Sequence, residues 1–181
     1  MMMSLHRIDK KYISFLRPFD NLGRVNGEAS LRAETRPFVK TGFSSNGLEY
    51  YAPIYLQWQG FKTHEKPVQE NIYTLPINDC EDGLICFANA LPVGNPEVLL
   101  NFFIQEHYTL GKRQDAFVDY NQALIANKMY MLHKFRAEKR LGKITPMINY
   151  FSKLETVAGK FDSSKTIKEM HDELFMSGNR R

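Results

Sequence analysis

The sequence predicts an α+β fold, a mostly antiparallel sheet built by the first half of the chain and packed helices after it. Short apolar, β-favouring runs separated by turn residues occupy most of the chain up to about Val98. Between two of them stands an Asn46-Gly47 pair. From Phe117 onward apolar residues recur at helical spacing instead. At 181 residues the chain is expected to form a single domain over 1–181, with a frayed tail over 177–181.

The elements follow in order. Leu5–Ile8 alternates apolar and polar and reads as a short strand. Asp9 then offers an N-cap to a helix carrying Tyr12, Ile13, Phe15 and Leu16, stopped by Pro18. Residues 20–35 are polar and Gly-interrupted and read as a long loop. A hairpin is predicted next, with strands near Phe38–Phe43 and Leu48–Ile54. Its type I′ turn needs positive φ at both central residues, which Asn-Gly supplies. Residues 57–69 are loop-like and rich in donors. Strand signals return at Ile72–Leu75, Leu84–Phe87 and Leu91–Val93, with an Asp82-Gly83 turn, and Pro92 and Pro96 mark an edge or a strand end. Phe117, Tyr120, Leu124, Met131 and Phe135 predict one side of a long helix ended by Gly142, with Ala123, Ile125 and Leu132 broadening the stripe. Met147, Phe151, Leu154, Ala158 and Phe161 give a second amphipathic helix, and Ile167, Met170, Leu174 and Phe175 a last short one.

Composition excludes some classes. With 43% hydrophobic, 13% aromatic and 24% charged residues, the chain is not a disordered polyelectrolyte. No apolar run reaches the ~20 residues of a membrane-spanning helix, and no signal-peptide core is present, so a cytoplasmic location without membrane contact is expected. Cys80 and Cys86 lack zinc or redox spacing and read as reduced thiols. No Gly-rich phosphate loop, Gly-x-Ser-x-Gly elbow or paired metal ligands occur, so no cofactor and no metal is expected. The net charge of +4 and pI of about 9.0 suit a polyanion partner without demanding one. Basic residues cluster at Arg7, Lys10, Lys11 and Arg17, and again at Lys134, Arg136, Lys139, Arg140 and Lys143, although solvated helix faces explain most such runs.

The hairpin directs attention to one neighbourhood. It would bring Arg36 close to the segment after the second strand, gathering Tyr55, Lys62 and His64 with Trp58 beside them. Cutting RNA without a metal requires a base for the 2′-hydroxyl proton, cations for the phosphorane and an acid for the leaving oxygen. His64 is the candidate base, since imidazole titrates near pH ~6.5. Lys62 and Arg36 are candidate cations, and Thr63 or Tyr55 a hydrogen-bonding relay. Trp58 would stack on an unpaired base or fold back as a lid. The bland alternative is an ordinary solvated loop over residues 62–66. His6, His107, His133 and His171 are expected to be structural or surface residues.

An ordered set of motifs resembles the ToxN/AbiQ family of toxins from type III toxin–antitoxin systems, including its CptN and TenpN branches. The set is Lys11-Tyr12-Ile13, Phe15-Leu16, Phe19-Asp20, Arg36-Pro37-Phe38-Val39, Tyr50-Tyr51-Ala52-Pro53-Ile54, Gly83-Leu84-Ile85 and Phe87-Ala88-Asn89-Ala90-Leu91-Pro92-Val93. The resemblance spans about Leu5 to Phe161. It implies a strongly bent antiparallel sheet flanked by helices, and a metal-independent, sequence-selective endoribonuclease leaving 2′,3′-cyclic phosphate and 5′-hydroxyl ends. It also implies an inhibitory antitoxin RNA of pseudoknot repeats held in a heteromeric assembly, cellular or phage RNA as substrate, and a role in abortive phage defence. The family's basic residue before the Phe-Ile/Val-Gly strand falls on Arg36, where this chain has Arg for Lys. Tyr12 and the Phe19-Asp20 region match positions lining the RNA groove, and Lys11, Arg7 and Trp58 are further candidate RNA contacts. The chain departs from the family after Ala52-Pro53-Ile54. Where relatives place Thr/Ser-Ser-Pro-Lys it has Tyr55-Leu56-Gln57-Trp58, which makes Lys62 and His64 the displaced match of a closing Lys and His. The alternative on the same scaffold is an RNA-binding protein that has lost cleavage.

Overall fold

The computed structural model describes residues 5–19, 36–55, 73–101, 108–138 and 153–178. Among them seven strands form one antiparallel sheet: β1 (Leu5–Ile8), β2 (Phe38–Ser45), β3 (Leu48–Tyr55), β4 (Thr74–Ile77), β5 (Gly83–Cys86), β6 (Leu91–Val93) and β7 (Leu99–Asn101). Their order is β4-β5-β3-β2-β1-β7, and β6 also pairs with β3. The described helices are α1 (Lys10–Leu16), α2 (Tyr108–Tyr120), α3 (Gln122–Ala137), α4 (153–158) and α5 (Ile167–Gly178). None is long and apolar enough to cross a membrane. The expected α+β architecture is therefore present.

Local chemistry explains the elements nearest the site. The Asp9 carboxylate accepts from the Lys11 N–H at 2.6 Å and starts α1 as an N-cap. Asn46 and Gly47 have φ of 53° and 75°, the type I′ geometry that lets β2 and β3 fold back on each other. Between the Lys40–Tyr51 and Ser44–Glu49 pairs, three residues of β2 oppose Tyr50 alone. Thr41 stitches this bulge, its Oγ1 donating to the Tyr50 carbonyl at 2.9 Å, while Gly42 takes φ 70°. Such a bulge bends its strand. β3 is also the central support of the sheet. One edge holds β2, whereas the other holds β6 opposite Glu49–Tyr51 and β5 opposite Ile54–Tyr55. The segment Phe87–Asn89 leaves that second edge as a single 3₁₀ turn between β5 and β6.

Helices pack on one face of the sheet. Tyr12, Phe15, Tyr50, Tyr51 and Phe87 are the largest fully buried aromatic side chains among the described residues. α2 is tied down at Asp82, whose carboxylate accepts two bonds from Arg113 Nε at 2.8 and 2.9 Å and whose carbonyl accepts from Gln114 Nε2 at 2.8 Å.

The structure corrects the predicted helical stripe. The chain breaks at Asn121, whose side chain donates to the Phe117 carbonyl at 2.8 Å and closes α2. Val118, Ile125, Met129 and Leu132 form the buried line, while Tyr120 is 90% and Leu124 41% exposed. Ile125 and Leu132 are thus buried as expected and Phe117 and Phe135 pack against the core, whereas Tyr120 and Leu124 turn outward. The last helix runs through Ser177 and Gly178, while 179–181, Gly142, Met147 and Phe151 lie outside the described residues.

Gly83 sits where the sheet is tightest. At φ 120°, a Cβ there would come within 2.9 Å of both Ile54 Cγ2 and the Tyr55 carbonyl oxygen. A Gly83→Ala variant is expected to lose about 2 kcal/mol or more of stability, since strained backbone and overpacking add. Urea unfolding measures this, and an unchanged midpoint would show that β5 yields freely.

Candidate nucleic-acid interface

Alternation along β3 divides its side chains between two faces. Tyr50 faces the helices, because its hydroxyl donates to Glu155 Oε1 of α4 at 2.5 Å. Glu49, Tyr51 and Tyr55 lie on the opposite face. The register carries that face across the hairpin, since Lys40 is opposite Tyr51 and Phe38 is opposite Pro53. The Ile54 N–H donates to the Pro37 carbonyl at 2.9 Å, which extends the pairing to Arg36 and Tyr55.

Two polar groups occupy this face. In the first, the Arg36 guanidinium lies over the Tyr55 ring, 4.1 Å from its centroid. The Tyr55 hydroxyl accepts from Asn89 Nδ2 at 2.6 Å, so the 3₁₀ turn after β5 fixes the ring under the cation. In the second, Lys40 Nζ is 2.7 Å from Glu49 Oε1, and the Tyr51 hydroxyl donates to Glu49 Oε2 at 3.0 Å. The His6 ring meets the Tyr51 ring edge-on at 5.5 Å. Phe38 and Pro53 form an apolar floor between the groups. Arg36 and Lys40 are four residues apart on one strand, about 13 Å for an extended chain.

The electrostatics assign charges. The Lys40 hydrogen bond holds the Glu49 carboxyl below its ordinary range, with help from the Tyr51 hydroxyl and against the effect of burial. Burial, then the Glu49 hydrogen bond, pushes the Tyr51 phenol up, so it stays a donor. Burial, then Lys40, lowers the His6 imidazole below its ordinary 6.5, and Glu49 opposes this only partly. At neutral pH His6 is a neutral base beside an anchored carboxylate.

The covered face holds a different network. Arg136 grips Glu155 through two bonds, Nη1 to Oε1 at 2.5 Å and Nη2 to Oε2 at 2.8 Å. His133 Nε2 lies 3.8 Å from the same Glu155 Oε1. Burial, then Arg136, lowers the His133 pKa. Arg136 was grouped by sequence with solvated cations. It is instead a largely covered charge paired with Glu155.

The expected site residues are therefore divided. Arg36 and Tyr55 come together as the hairpin predicts. Trp58, Lys62, Thr63 and His64 lie outside the described residues. Tyr12 is corrected from groove to core: it is fully buried, its hydroxyl donates to the Pro92 carbonyl at 2.5 Å and Phe161 meets its ring at 5.1 Å. No ring face is left for a base. Phe19 packs against Phe15, His171 and Phe175, and Lys11 Nζ donates to the Ser163 carbonyl at 2.6 Å. Both residues thus lie at the corner of α1 and α5. Arg7 lies on β1 with its side chain on the face opposite to that of its neighbour His6. Sequence reasoning missed Lys40, Glu49, Tyr51, His6 and Asn89. Counting outward from the turn would have paired Lys40 with Tyr51, but only with the bulge known in advance.

No family model matches the chain, and no curated protein does. Solved structures do match in fold. One, from a bacterial antiviral system regulated by a processed non-coding RNA, aligns with a TM-score of 0.70 at 20% identity, covering 89% of this chain and 100% of that one. A bacterial type III toxin–antitoxin protein, of a system in which a non-coding RNA pseudoknot selectively inhibits the toxin, gives 0.59 at 22% identity, covering 85% and 94%. AbiQ, a lactococcal anti-phage endoribonuclease of a type III system, gives 0.63 at 18% identity, again covering 85% and 94%. The resemblance read from the ordered motifs thus holds in three dimensions, and the chain is built on the fold of the ToxN/AbiQ type III toxin–antitoxin proteins.

Proposed function

We propose that this protein is the toxin of a type III toxin–antitoxin system. In this reading it is a metal-independent endoribonuclease that leaves 2′,3′-cyclic phosphate and 5′-hydroxyl ends. A repeated pseudoknot RNA restrains it in a heteromeric assembly, and release of the toxin cuts cellular or phage RNA in the cytoplasm. The observation that carries the reading is the Arg36 guanidinium held over Tyr55, on the sheet face opposite the helices, in a chain with the fold of AbiQ. A fixed planar cation presents several N–H donors to the equatorial oxygens of a phosphorane without reorganising. Lys40 on the same face, ion-paired with Glu49, becomes a second contact where a phosphate competes with that carboxylate.

A second reading, an RNA binder without cleavage, is favoured by one departure from the family. Tyr55 stands where relatives carry Ser or Thr, and its hydroxyl accepts from Asn89.

One experiment separates them. The protein is purified free of nucleic acid, incubated with cellular RNA in the presence of chelator, and the new ends are mapped. Fragments with 2′,3′-cyclic phosphate and 5′-hydroxyl ends at a short recurring sequence are expected. Binding that weakens steeply with salt, but without cuts, would mean the chain has kept only its phosphate contacts.

A further inference from the structure

We propose that His6 is the general base of this site, taking the proton of the attacking 2′-hydroxyl while Arg36 holds the phosphate. The inference rests on the endoribonuclease reading above and supplies the group that reading leaves without a described residue.

Geometry selects His6 from the three described histidines. His171 is committed, its Nε2 lying 2.9 Å from the Phe15 carbonyl. His133 sits on the helix-covered face with Nε2 buried, its ring 4.9 Å from Phe43. His6 alone of the three lies on the face of Arg36, and among the described residues neither of its ring nitrogens is hydrogen-bonded. Its ring is held by the edge-on contact with Tyr51, whose hydroxyl is anchored on Glu49.

The register gives the reach. His6 is opposite Phe38, two residues along β2 from Arg36. The two backbone positions are about 7 Å apart along the strand and about 4.8 Å across to β1, with the His6 ring set against Tyr51 and the Arg36 guanidinium against Tyr55.

The step balances. His6 takes the 2′-hydroxyl proton, the 2′-oxygen forms a bond to phosphorus, and the bond from phosphorus to the 5′-oxygen breaks. That oxygen leaves with a proton from water, and His6 returns its own to solvent. No oxidant or co-reactant is needed.

The groups facing His6 favour this role. Lys40 from β2 opposes its protonation, Glu49 from β3 supports it, and Tyr51 stays neutral. The balance keeps His6 unprotonated at neutral pH, the state a base requires.

The test measures kcat/KM for RNA cleavage from about pH 5 to about pH 8, for the wild type, His6→Ala, His6→Gln and His64→Ala, each with and without added imidazole. The wild type is expected to lose activity on the acid side with a midpoint below about 6.5. His6→Ala and His6→Gln should fall by ~10²–10⁴-fold with no acid limb. Imidazole should restore His6→Ala in part, a rescue that a merely structural histidine would not show. If the wild type cuts RNA but lacks an acid limb, the proposal is overturned whether or not the variants fold. Cleavage by His6→Gln within a few-fold of wild type overturns it too, as does imidazole rescue of His64→Ala and not of His6→Ala. In those cases the endoribonuclease reading survives, whereas a wild type that cuts nothing removes both.

Discussion

An Arg36→Gln variant is expected to fold normally, to bind RNA within a few-fold of wild type, and to lose about 10²–10³ in kcat. The reason is where its charge sits. Arg36 makes with Tyr55 a cation–π contact, worth about 0.5–2 kcal/mol. A guanidinium aimed at charge that develops only in the transition state affects the chemical step far more than ground-state affinity. Arg36→Lys should recover part of the rate, because it keeps the charge and loses the fork. Single-turnover cleavage and thermal melting, measured together, check this. A wild-type rate in Arg36→Gln would place the phosphorane elsewhere, and a collapsed melting curve would make Arg36 a structural residue.

The largest stability effect is expected from Glu155→Ala. Its carboxylate and the Arg136 guanidinium are only 15% and 13% exposed, and Glu155 also accepts from the Tyr50 hydroxyl. Removing the carboxylate takes from a largely covered cation this counter-charge and from the Tyr50 phenol this acceptor. Breaking one partner of such a pair costs about 3–5 kcal/mol. That is a large share of the roughly 5–15 kcal/mol that holds an ordinary domain together. Replacing Glu155 and Arg136 together by Met should be much milder, since apolar groups of similar volume leave nothing unpaired. Chemical denaturation of the three proteins measures the difference. A loss below ~1 kcal/mol in Glu155→Ala would mean the pair behaves like an exposed one.

What the sequence revealed was mostly local. Asn46-Gly47 announced a turn because few residue pairs accept positive φ twice in succession, and the structure has φ of 53° and 75° there. Asp9 announced a cap because a short acidic side chain bonds its own chain two residues on. The rest depended on partners far away in the chain. Tyr50 and Glu155 are 105 residues apart, and nothing near Arg136 marks it as covered rather than solvated. Tyr12 shows the same limit, since an aromatic in an ordered motif fits a core and a groove equally well until Pro92 and Phe161 are seen around it. The site was legible at Arg36 and Tyr55, which the hairpin itself brings together. It was opaque at Lys40, Glu49 and His6, whose grouping depends on a bulge and on pairing with β1.

That bulge has an arithmetic consequence. Across it the sum of paired positions changes from 91, as for Lys40 (40 + 51), to 93, as for Ser44 (44 + 49). The change is two, an even number, so odd positions of β3 stay on one side from end to end. Substitutions can accumulate on this fold, as the overall identity of 20% to a protein that shares it illustrates. Its length is far less free. A single inserted or deleted residue between Thr41 and Leu48 would reverse parity, sending Tyr50 and Ile54 out while Glu49, Tyr51 and Tyr55 turned inward. Core and interface would be lost in one event. Descent in this part of the chain is therefore expected to change letters one at a time and length only in pairs.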